Sequence, residues 1–66
     1  MTTREVFNRM PENVQNKIEN IRKNYKNQTL NKEKNRAELY GYTLGLMDAG
    51  LISERERQIL FVYGTV

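Results

Sequence analysis

Few side chains among the 66 residues could act on a substrate. Glu33, Glu38, Asp48, Glu54 and Glu56 offer carboxylates, and Ser53 offers a hydroxyl. General acid–base work needs two such groups converging on a reacting atom, and a nucleophilic serine needs a base beside it. The chain has no histidine and no cysteine, which excludes Ser-His and Cys-His pairs, thiol catalysis, disulfides and the usual zinc ligand sets. Ser53-Glu54-Arg55-Glu56 has the serine-x-x-glutamate spacing of a helix capping box, so Ser53 and Glu56 are expected to close a helix start instead of a reaction cycle. No phosphate-cradling glycine loop and no convergent carboxylate pair is legible. The chain is expected to be non-enzymatic, with no metal, no cofactor and no small-molecule substrate.

The other chemistry on offer is electrostatic. The stretch from Arg22 to Arg36, RKNYKNQTLNKEKNR, carries six basic residues and one acid. Arg22, Lys23 and Lys26 close one helix while Lys32, Lys34 and Arg36 open the next, so both groups gather at one end of the molecule, where they could contact phosphates. The whole chain is +3, but residues 1–36 hold nine basic and four acidic side chains and residues 37–66 hold two and four. Basic side chains at a helix start oppose its dipole, which makes an anion there favourable; lysine-rich helix ends on solvated surfaces are equally ordinary. A helix-turn-helix reading of MDAGLISERERQI fails because Leu46 stands where a small residue belongs and Glu56 where an apolar one does. The helix that would read DNA also begins Glu-Arg-Glu-Arg, a poor approach to phosphate.

These groups are positioned by helices. Thr2-Thr3-Arg4-Glu5 is a second capping box, opening a short N-terminal helix or turn. Pro11 interrupts it and suits the first turn of a helix over about 11–27. Phe7, Met10, Val14, Ile18, Ile21 and Tyr25 recur at three- and four-residue spacing, giving one buried face. Asn13, Asn16, Asn20, Asn24 and Asn27 fall on a solvated side. A connection is expected at 27–31, with Thr29 or Asn31 capping a central second helix over about 31–49. Gly50 then ends this helix in a Schellman arrangement, Leu51 packing back on Leu46. A third long helix, about 54–63, carries Ile59, Leu60, Val62 and Tyr63.

The second helix is unusual in having three strips. Ala37, Tyr40, Leu44, Met47 and Leu51 make an apolar strip that reads as the core face. Leu39, Tyr42 and Leu46 make another strip nearly opposite. Ala37, Gly41, Gly45 and Ala49 make a small-residue strip between the two. Each interior glycine costs roughly 1 kcal/mol relative to alanine, so close approach of another backbone is the expected compensation. Leu39, Tyr42, Leu46, Gly41 and Gly45 are therefore the candidate interaction surface, open to a protein partner or to a second copy in a homo-oligomer.

Residues 41–65, GYTLGLMDAGLISERERQILFVYGT, resemble small uncharacterised helical proteins carried on phage or conjugative elements of low-GC Gram-positive bacteria. The resemblance implies an accessory or regulatory role and carries over no site. The sequence reading is thus an all-α, single three-helix domain over 1–66, acting as a protein-interaction module. The competing reading is a nucleic-acid-binding accessory protein using Arg22, Lys23, Lys26, Lys32, Lys34 and Arg36. The N-terminal ten residues contain no apolar run and no stretch approaches the roughly 20 apolar residues of a membrane span, so a cytoplasmic location and no membrane partner are expected.

Overall fold

The computed structural model describes residues 2–27 and 32–65. Among them are four helices: α1 (Thr3–Asn8), α2 (Glu12–Asn27), α3 (Lys32–Asp48) and α4 (Glu54–Gly64). The three long helices make the expected three-helix domain, and the short α1 packs on α4. The connection expected at 27–31, with its cap at Thr29 or Asn31, lies in residues 28–31, outside the described residues.

Local chemistry fixes the helix ends. At α1 the Thr2 hydroxyl accepts from Glu5 N at 3.2 Å while Thr2 N donates to the Glu5 carboxylate. At α4 the Ser53 hydroxyl accepts from Glu56 N at 3.1 Å, and Ser53 N donates to Glu56 Oε1 at 2.8 Å. Both capping boxes therefore form, each satisfying two otherwise orphaned donors. The Gln15 amide bridges the break at Pro11, donating to the carbonyls of Met10 and Asn8. After α3, Gly50 takes φ 79°, with Gly50 N bonded to Met47 O and Leu51 N to Leu46 O. This is the hydrogen-bond pair of the Schellman motif. Its expected apolar contact does not supply the core residue, because Leu51 remains 64% exposed and Ile52 turns inward instead.

Val14, Ile18 and Ile21 form the buried face of α2 as their spacing requires, and the five asparagines at 13, 16, 20, 24 and 27 are exposed. Val6 and Phe7 of α1, and Leu60 and Tyr63 of α4, complete the core with Leu39, Leu46 and Ile52. Tyr63 joins three helices. Its ring stacks on Phe7 with centroids 4.5 Å apart, and its hydroxyl donates to the Glu19 carboxylate. Burial, and the hydrogen bond to Glu19, push the Tyr63 hydroxyl above the usual tyrosine pKa.

The rotation of α3 departs from the sequence reading. Its buried residues are Asn35, Leu39, Thr43 and Leu46, a face turned about 120° from the expected Ala37–Tyr40–Leu44–Met47–Leu51 strip at 100° per residue. Two of the four are polar. Thr43 is tolerated because its hydroxyl donates to Leu39 O at 2.9 Å, within its own helix. Leu39 is fully buried, and one of its methyls fills the space where a Cβ on Gly64 would stand. The close approach to a glycine is thus at Gly64, not at Gly41 or Gly45.

Gly64→Ala should lower stability by about 1–3 kcal/mol, because enclosed Leu39 must move to admit the methyl; the check is a lower urea midpoint at unchanged slope. Glu56 is held below the ordinary glutamate pKa, chiefly by the backbone hydrogen bond from Ser53, with the Ser53 hydroxyl and Arg9 contributing. A depressed folded-state value means that the stabilisation is complete above the ordinary value of 4.5 and fades as pH falls through the lowered one. Glu56→Gln should therefore lose less stability than the native chain on acidification through this window, measured by urea unfolding at stepped pH.

Candidate interaction face

Turning Asn35, Leu39, Thr43 and Leu46 inward forces the other side of α3 outward. Lys34, Ala37, Tyr40, Gly41, Gly45, Asp48 and Ala49 are exposed, while Leu44 and Met47 are half-buried. A Cβ placed on Gly41 or Gly45 would meet nothing within 4 Å. The small-residue strip is therefore open along its centre. Each glycine still costs roughly 1 kcal/mol of helix propensity, and no contact among the described residues requires it.

This corrects the candidate interaction surface. Leu39 is fully buried and Leu46 nearly so, both in the chain's own core, and neither is available to a partner. Tyr42 packs half-buried against that core, with Lys17 Nζ 6.0 Å from its ring centre. Gly41 and Gly45 remain on the surface, but their apolar neighbours there are Tyr40 and Leu44, with Leu51 just beyond the helix end. Tyr40 is 48% exposed and Leu51 64%.

Tyr40 is exposed yet held. Its ring meets Phe61 edge-on, with centroids 6.2 Å apart. Arg57, itself only 9% exposed, lies with Cζ 5.2 Å from the Tyr40 ring centre, and its Nη2 donates to Glu54 at 3.2 Å. A cation over a tyrosine face contributes about 0.5–1 kcal/mol where solvent reaches it. Arg57 Nε is buried with no hydrogen-bond partner among the described residues. A shallow depression beside this ring is lined by Glu33, Arg36, Ala37, Tyr40 and Phe61. A half-exposed aromatic side chain held by its neighbours suits an anchor for a partner. Sequence reasoning passed over Arg57, although its place three residues after Glu54 signals an i,i+3 pair.

The basic segment is partly spent on the chain's own aromatics. Arg22 Nε donates to Tyr63 O at 3.2 Å and its Cζ lies 4.8 Å from the Tyr63 ring centre. Lys32 Nζ is 5.2 Å from the Tyr25 ring centre, and Arg36 Nη2 donates to the Tyr25 hydroxyl at 3.1 Å. That hydrogen bond, and the attraction of Tyr25 behind it, push the Arg36 pKa up. Lys23 and Lys26 are exposed and, with Arg22, Glu19, Asn20 and Asn27, line a shallow depression on α2. Lys34 projects on the other side of α3 from Lys32 and Arg36, since two residues turn a helix by about 200°. It belongs to the outward face of α3.

The carboxylates do not converge. Glu38 pairs with Lys17 at 3.2 Å, Glu54 with Arg57, and Glu56 with Arg9 at 3.1 Å. Among the described residues no group of three or more carboxylates could hold a metal ion, and no helix is long and apolar enough to cross a membrane. Compared with known proteins, the chain matches no family model, no curated protein and no solved structure.

Proposed function

We propose that the chain is a non-enzymatic interaction module that presents the outward face of α3 to a helix of a protein partner. The carrying observation is the open run of Ala37, Gly41 and Gly45 beside exposed Tyr40 and Leu51. A helix surface of small residues flanked by a held aromatic and leucines lets a second helix come close and gives it apolar area to cover. An accessory or regulatory role on a mobile element is supported by the resemblance of residues 41–65 alone. A second reading, nucleic-acid binding through the basic end, is favoured by exposed Lys23 and Lys26 beside Arg22. It is weakened by the engagement of Arg22, Lys32 and Arg36 with Tyr63 and Tyr25.

Site-specific photocrosslinking in living cells separates the two. Leu44→p-benzoylphenylalanine, on the outward face of α3, should give discrete protein adducts, and Asn16→p-benzoylphenylalanine, on the solvated side of α2, should give none. Adducts from Asn24→p-benzoylphenylalanine at the basic end, containing nucleic acid and with none from position 44, would overturn the first reading in favour of the second.

A further inference from the structure

The charges on the outward face of α3 have an order that names its occupant. Lys34, Ala37, Gly41, Gly45 and Asp48 follow one another at spacings of three, four, four and three, symmetric about Gly41. At 100° per residue all lie within about 40° of Gly41 around the helix, and all five are exposed. Lys34 and Asp48 stand seven residues to either side of Gly41, about 10 Å along the axis, and neither has an ion-pair partner among the described residues. The centre of the face is small and its two ends are opposite in charge.

We propose that this face pairs with a second copy of the chain, one α3 lying antiparallel across the other with the two-fold axis at Gly41. The proposal rests on the docking reading above and supplies its partner. The symmetry operation sets Lys34 against the partner's Asp48 and Asp48 against the partner's Lys34, so each contact occurs twice, as in any isologous interface. A parallel pairing would oppose lysine to lysine and aspartate to aspartate. Ala37, Gly41 and Gly45 form the line along which the backbones approach, by the same steric logic as small-xxx-small pairing in membranes. Tyr40 and Leu44 flank that line, where a second helix covers them. Because the face pairs with itself, assembly closes at two copies. A single helix crossing is smaller than a standard protein interface, so the association is weak and sensitive to salt.

Sedimentation equilibrium of the full chain at low salt, from about 10 µM to about 1 mM, reads the association. The native chain should follow a monomer–dimer equilibrium. Lys34→Glu and Asp48→Lys should each weaken it about tenfold, since both copies of the pair become like-charged. An equimolar mixture of the two variants should regain native association, because every pair is again opposite in sign. Gly45→Leu should abolish the dimer while the dilute monomer keeps its helical circular dichroism and thermal midpoint, as position 45 is exposed and a Cβ there meets nothing within 4 Å among the described residues. A monomer throughout the range would overturn self-pairing, and adducts from position 44 to a different protein would still uphold the docking face. A dimer indifferent to both charge reversals, or one that survives Gly45→Leu, would overturn the proposed register and surface.

Discussion

Leu39 packs into the space a Gly64 side chain would fill, and the rotation of α3 that encloses it decides which residues reach the surface. A leucine methyl occupies the space of the missing Gly64 side chain, so α3 and α4 approach with Leu39 fully enclosed between them. Once Leu39 points inward, helical geometry fixes the rest. Asn35, Thr43 and Leu46 follow it into the interior, and Ala37, Gly41, Gly45 and Asp48 are carried to the outside.

The same geometry gives the two ends of the molecule different characters. Cations from one helix lie on aromatic rings of another: Lys32 and Arg36 of α3 on Tyr25 of α2, and Arg22 of α2 on Tyr63 of α4. These contacts divert part of the positive charge into holding the helices together. Along α3 the opposite holds, since Lys34 and Asp48 are left outside by the rotation that buries Leu39. Arg57 packs against Tyr40 from α4, so the aromatic at the edge of the outward face is held in position by the chain itself.

The features legible in the sequence were those determined within a few residues. Both capping boxes, the left-handed Gly50 and the buried face of α2 depend on neighbours along the chain, and each formed as its residues require. The rotation of α3 was not legible, because half of its buried face is polar: Thr43 satisfies its hydroxyl on its own helix, and Asn35 carries no apolar signal at all. The longer series Ala37, Tyr40, Leu44, Met47 and Leu51 therefore read as core. The glycine strip is exposed, but the apolar residues beside it are Tyr40 and Leu44 and not the expected Leu39, Tyr42 and Leu46. Lys34 likewise neighbours the basic end in sequence but lies on the other side of α3 from Lys32 and Arg36, because two residues turn a helix by about 200°.

The orientation of α3 is the central claim, and solvent paramagnetic relaxation measured by NMR on dilute protein with a neutral gadolinium chelate tests it most directly. The account predicts strong relaxation of the α-protons of Gly41 and Gly45 and the methyls of Leu51, with the methyls of Leu39, Thr43 and Leu46 protected. Protection of Gly41, Gly45 and Leu51 together with strong relaxation at Leu39 and Leu46 would contradict it.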